Sequence, residues 1–167
     1  TEVEDFINLR VKGLLTEEGI AYDVVDAILK VPGHDLLALR ERALAVAAFK
    51  TAPQFNDFMV VFNRSANLSA KAEHNQVNAT VFQTIEEQEL FDQMQVILPQ
   101  ALAAVAREQY QEALNITATL RPELDAFFDA VMVMVDDTEV RTNRLAILKN
   151  ISDCCHLVAD FKQLVVA

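Results

Sequence analysis

Apolar positions recur along nearly the whole chain at helical rather than alternating spacing, interrupted by short polar or proline-containing breaks. Thr1 with Glu4 three residues on has the form of a capping box, and Phe6, Leu9, Val11, Leu14 and Leu15 follow on an amphipathic helix that ends near Gly19. A short helix fits Asp23 to Lys30, with Val24, Val25, Ile28 and Leu29 inward, and Val31-Pro32-Gly33 stops it. Asp35 opens a third helix that runs to about Lys50, and Thr51 as cap with Pro53 in the first turn starts a fourth. In that fourth helix Phe55, Phe58, Met59, Phe62 and Ala66 form one apolar stripe, while Arg64, Asn67, Lys71 and Asn75 fall opposite.

Ser69 to Asn78 is polar, contains His74 and reads as a loop. Thr84 and Glu87 form a second capping box before a long helix carrying Leu90, Phe91, Met94, Ile97, Leu98, Leu102 and Val105, which Pro99 should kink or break. Gln109 to Thr117 predicts a further helix. Pro122 opens the next, which extends through the apolar run to Val135 and ends at Asp136-Asp137. A last helix is predicted from about Glu139 to Leu164, with Ile147, Ile151, Cys154, Val158 and Phe161 at bundle spacing. The fold class is therefore all-α, an antiparallel helical bundle of seven or eight helices in one domain over 1–167, with the polar stretch 70–84 as the one candidate boundary.

Composition narrows this further. The chain of 167 residues has only 3 Gly and 4 Pro, too few turn residues for a β-sandwich or barrel, and its 52% apolar content is that of a globular protein. No apolar run is long enough to span a bilayer, and no signal peptide is visible. The chain begins with Thr1 and not Met, which fits a piece of a longer polypeptide. Net charge is −11, from 14 basic and 25 acidic residues, which argues against RNA or DNA binding by bulk electrostatics. The charge is polarised: between Glu73 and Glu139 the only bases are Arg107 and Arg121, whereas Arg141, Arg144, Lys149 and Lys162 make the C-terminal stretch the positive end.

Candidate chemistry is sparse. Cys154 and Cys155 are adjacent, so a disulfide between them would need a distorted peptide, and a reduced cytoplasmic setting is the simple reading. His156 follows, but three consecutive helical residues cannot converge on one metal, and His34 and His74 lie on unrelated segments. Glu86, Glu87, Glu89 and Asp92 sit at a helix start, where acids favour the macrodipole, and read as a solvated face. The five Asn-x-Ser/Thr sequons are read as chance. The run Phe127-Phe128-Asp129-Ala130-Val131-Met132-Val133-Met134 reads as helix core, in which Asp129 needs a partner. Arg144 leans toward the apolar seam, where a charge is normally paired, with Asp129 or Asp136 within reach; Arg141 is similar. Tyr110 and Tyr22 read as core residues, with base stacking as the alternative.

Five stretches carry a family resemblance. Leu120 to Met134, followed by Arg141-Thr142-Asn143-Arg144-Leu145-Ala146-Ile147-Leu148 and Val158-Ala159-Asp160-Phe161, resembles the C-terminal end of the β subunit of bacterial glycyl-tRNA synthetase. Gly19 to Leu29 and Phe62-Asn63-Arg64-Ser65-Ala66-Asn67 resemble earlier segments of the same family, in the same order. The resemblance implies a helical anticodon-binding domain like that of class I enzymes such as the arginyl-tRNA synthetase. It further implies an α2β2 ligase joining glycine to tRNA(Gly), whose α subunit uses ATP and Mg²⁺, so that this chain holds no cofactor and no catalytic residue. Its partners would be tRNA(Gly), the α subunit and the remainder of the β subunit.

On that reading, Arg64 and Lys71 would hold phosphate, and Asn67 and Asn143 could read base edges, with Arg141 and Arg144 joining the surface; structural ion pairs remain the alternative for both arginines. The acidic balance implies weak RNA binding by the isolated chain, which is expected to be a monomer. The competing reading is a helical scaffold that contacts the rest of the synthetase and barely touches RNA.

Overall fold

A computed structural model describes residues 2–32 and 35–165. The described residues form eight α-helices and two 3₁₀ turns, without a strand: α1 Glu2–Glu17, α2 Tyr22–Leu29, α3 Leu36–Phe49, α4 Phe55–Ser69, α5 Ile85–Ala106, α6 Tyr110–Ala118, α7 Arg121–Ala130 and α8 Thr138–Cys155, with the turns at Ala79–Val81 and Phe161–Gln163. The all-α expectation is met. The Thr1 cap, Gly33 and His34 lie outside the described residues.

Helix ends follow local chemistry where a side chain can reach the backbone. Asp35 Oδ1 accepts from the Leu37 amide at 3.0 Å, and Asp137 Oδ1 from that of Val140 at 3.1 Å. Thr84 and Glu87 make both hydrogen bonds of a capping box. Gly19, at φ 87°, ends α1 with the Ile20 amide reaching back to the Leu15 carbonyl at 3.1 Å and its own amide to that of Thr16 at 3.0 Å. That paired bonding needs a left-handed residue, which glycine supplies without a Cβ clash.

Four boundaries differ from the sequence reading. The residue preceding α4 is Gln54, and the Thr51 hydroxyl donates backward to the Ala48 carbonyl at 3.0 Å, so Thr51 closes α3 instead of opening α4. Pro99 lies inside α5 without breaking it. α7 stops at Ala130, because Val131 turns to extended backbone (φ −117°, ψ 121°). The apolar run then changes period from helical to two: Val131 and Val133 are buried while Met132 and Met134 face solvent. Finally, α8 ends at Cys155, although Val158 and Phe161 beyond it are buried as expected.

The core is one contiguous cluster drawn from all the helices. Its centre is aromatic: Phe49, Phe58, Phe62, Phe127 and Phe161 are essentially solvent-free. Phe58 meets Phe161 at 4.6 Å between ring centroids and Phe62 meets His156 at 5.3 Å, while the Ser69 hydroxyl donates to that of Ser152 at 3.1 Å. Contacts in this inverse order make α4 antiparallel to α8 and the segment after it, the most extensive helix pairing in the molecule. Each buried ring contributes on the order of 2–3 kcal/mol by removal from water. The C-terminal segment crosses back to α2, where the Asp160 amide donates to Ala27 O and the Val165 amide to Asp23 Oδ2, both at 2.9 Å.

Candidate nucleic-acid interface

α8 carries polar residues into the interior, with Asn143, Arg144 and Ser152 all buried. Arg144, 4% exposed, donates from Nε to Glu87 Oε1 at 2.7 Å, from Nη1 to the Met132 carbonyl at 2.9 Å and from Nη2 to Gln83 Oε1 at 3.3 Å. Glu87 is wholly buried, and its second oxygen accepts from the Gln83 and Thr84 amides at 2.8 and 2.9 Å. Burial opposes ionisation of this carboxyl, but the Arg144 hydrogen bond, the two amides and the Arg144 charge outweigh it and hold its pKa below the ordinary value. One carboxylate therefore caps α5 and neutralises an arginine of α8. The arginine in turn fixes the extended segment after α7.

The preceding residue works on a different loop. Asn143, 5% exposed, grips Asn78 from both sides: its Oδ1 accepts from the Asn78 amide at 2.8 Å and its Nδ2 donates to the Asn78 carbonyl at 3.0 Å. Two turns on, Asn150 Nδ2 donates to the Asn75 carbonyl at 2.7 Å. Residues 70–84 are thus strapped along α8. Arg141 fixes the turn that leads into its own helix, donating from Nη1 to Val135 O at 2.6 Å and Asp136 O at 3.3 Å.

These contacts correct several expectations. Arg144 pairs with Glu87, not with Asp129 or Asp136, and Asp129 is exposed and needs no partner. Glu87 does not belong to a solvated face. Asn143 and Arg144 are interior residues, and the hydrogen bonds above tie both to the fold. Tyr110 is core, under the Arg42 guanidinium at 5.2 Å, but Tyr22 is 62% exposed. Burial raises the thiol of Cys154 to about 11, against an opposing hydrogen bond with Thr117, and raises that of Cys155 further; both are protonated and inert at neutral pH.

The remaining candidates lie outside. Arg64, Asn67 and Lys71 are exposed, at and just beyond the end of α4. Arg64 Nη1 pairs with Asp125 Oδ1 at 2.9 Å, and its guanidinium lies 5.5 Å from the centre of the Phe128 ring. That places Arg64 in a chain of surface charges joining α4 to α7, in which Arg121 bridges Asp57 and Asp125. The side chains of Asn67 and Lys71 make no hydrogen bond or ion pair among the described residues. Beside the strapped loop a recess of about 420 Å³ opens between α5 and the end of α8, apolar in its walls (Phe91, Met94, Leu98) with Asn75, Gln95 and Asn150 also lining it.

No signal in the sequence picked Glu87 as the partner of Arg144, since the two are 57 residues apart; the capping box was legible, but not the use of its other oxygen. The same holds for Asp23, buried on α2, where Lys50 at 2.7 Å and the Val165 and Val24 amides overcome the effect of burial and lower its pKa. Among the described residues no group of three or more His, Cys, Asp or Glu is placed to hold a metal and no helix is long and apolar enough to cross a membrane.

The chain is 40% identical over 164 residues to the glycine–tRNA ligase beta subunit of Syntrophomonas wolfei, covering 98% of this chain and 24% of that protein. The beta subunits of Desulforamulus reducens (39% over 166 residues, 99% and 24% covered) and of Neisseria meningitidis serogroup C (38% over 162 residues, 96% and 23% covered) are similarly related. The chain spans about a quarter of the length of these relatives. The description "DALR anticodon binding domain" matches residues 58–158, which run from the first turn of α4 to just beyond α8 and hold the Arg144–Glu87 pair and the loop strapped to it. With more than half of its length in that match, the chain belongs to the DALR anticodon-binding domain family.

Proposed function

We propose that this chain is the tRNA-binding part of a glycine–tRNA ligase β subunit, holding the anticodon arm of tRNA(Gly) while ATP and Mg²⁺ are handled by a separate α subunit. The observation that carries the reading is the family membership of 58–158 together with the similarity to the glycine–tRNA ligase beta subunits named above. The chain's own role is binding and orientation, with no catalytic residue.

Arg64, Asn67 and Lys71 are the residues proposed to meet RNA. Lys71 offers an unpaired ammonium to phosphate. The Arg64 guanidinium, 5.5 Å from the centre of the Phe128 ring, offers a plane as well as a charge, and Asn67 offers both amide functions to a base edge. Arg141 is half-buried and contributes at most its outer edge. Asn143 and Arg144 act behind this surface by holding the loop 70–84 in one conformation. The recess beside that loop, apolar with an amide rim, suits an unpaired base. The excess of acid elsewhere keeps binding confined to this region and weak in the isolated chain.

The test is a titration of the chain with tRNA(Gly) and a noncognate tRNA at low and moderate salt. Cognate preference, a steep salt dependence and a loss of about tenfold or more in affinity for the double variant Arg64→Ala/Lys71→Ala are expected. Binding by the double variant as tight as by the unaltered chain would remove these residues from the interface. Absence of binding at low salt with the helical circular dichroism intact would leave only a scaffold role.

A further inference from the structure

α1 presents two apolar faces, and only one of them is covered. Val11 and Leu15 are buried against the core, and Lys12 ties the helix to Asp26 of α2 at 2.6 Å. Val3, Phe6, Leu9 and Leu14 are 67%, 64%, 69% and 51% exposed, and Ile7 39%. Val3, Ile7 and Leu14 are spaced to lie on one line, with Phe6 and Leu9 alongside. Single exposed apolar residues are ordinary, but five within about half the circumference of a 16-residue helix, with Arg10 and Glu17 among them, form a seam.

Gly13 sits within this seam. Glycine weakens a helix interior relative to alanine, and a Cβ at this position would meet nothing within 4 Å, so nothing inside the chain calls for it. A groove of about 330 Å³, lined by Leu9, Arg10, Gly13, Leu14 and Glu17, opens there. A missing Cβ in a groove between leucines lets another backbone approach closely. The neighbouring charges are mixed, Asp5 and Glu17 with Arg10, which does not suit a phosphate backbone.

α1 lies outside the DALR match at 58–158, yet inside the stretch shared with the glycine–tRNA ligase beta subunits, proteins of which this length is 24%. We propose that the outer face of α1 is an intrachain docking seam: in a chain of the relatives' length it packs against an apolar helix face from the remaining polypeptide, with Gly13 admitting the close approach. A second copy of this chain is the competing occupant. The docked seam would orient the proposed RNA-binding surface relative to the rest of such a chain.

The experiment compares the 167-residue chain with the full product of its gene. Leu9→Cys is made in both and its reaction with a thiol reagent timed; Cys154 and Cys155 are buried and give a slow background. Labelling slower by about tenfold or more in the full product is expected. Equal rates in the two overturn the proposal, and so does protection already present in the 167-residue chain with a dimeric mass by light scattering. Gly13→Ala gives an independent reading. It should raise the melting temperature of the 167-residue chain and lower that of the full product; a rise in both also overturns the proposal.

Discussion

α8 and α1 invert the usual relation between residue type and exposure, in opposite senses. α8 is surrounded by α4, α5, α6 and the strapped loop, so even its Arg144 and Asn143 are interior. Among the described residues α1 packs mainly on α2 and α3, and Phe6 and Leu9 remain in water. The difference lies in the number of neighbours, not in composition. A helix with neighbours on most sides must pair the polar groups it buries, and those groups then fix the elements around it. A helix covered on one side has no such obligation and can keep an apolar face for something else.

The comparison can be broken most severely at Arg144. Arg144→Ala leaves the Glu87 carboxylate buried without its counter-ion and should cost about 3–5 kcal/mol of unfolding free energy, read from urea denaturation. The double change Glu87→Gln/Arg144→Met should cost clearly less than the sum of its parts, because no buried charge is stranded. Asn143→Ala strands the Asn78 amide and carbonyl and should cost about 1–3 kcal/mol, with hydrogen exchange at Asn78 accelerating while the core amides of α4 keep their protection.

Acid should act on the same network. Glu87 and Asp23 have folded pKa values held below their ordinary values of 4.5 and 3.8, so the stability they contribute is present above those values and is lost as pH falls through them toward the folded pKa. The urea midpoint should therefore decline from about pH 5 downward, and the decline should be shallower in Glu87→Gln. The smallest effect belongs to α1: Leu9→Ser and Phe6→Gln in the 167-residue chain should stay within about 0.5 kcal/mol of the parent. A large loss there would mean that the outer face is already packed and that the contrast between the two helices is false.

Much of the helical framework was legible because its signals are local. The Thr84–Glu87 capping box, the Asp35 cap and the Phe55–Ala66 stripe each involve residues within about three turns of one another. Errors came where a local signal competed with packing. Thr51 could cap forward or close backward, and the end of α3 took it. The run after Ala130 kept its apolar character but changed period, because Arg144 captures the Met132 carbonyl and holds the backbone extended. For the candidate site, Arg64 and Asn67 lie on an exposed polar face of α4 as read, with Lys71 and Asn75 beyond its end, whereas Asn143 and Arg144, assigned to the surface, are buried.

By itself the sequence determined the helical class, the polarity of each helix and the positions of most ends, since spacing, caps and proline act over a few residues. The family resemblance was likewise carried by residue order alone. Only the tertiary structure decided which polar residues are inside, which carboxylate meets Arg144, and which apolar face of α1 is left uncovered. Those outcomes depend on what lies opposite each helix once it is packed, and partners 57 residues apart along the chain, as Arg144 and Glu87 are, leave no mark in local pattern.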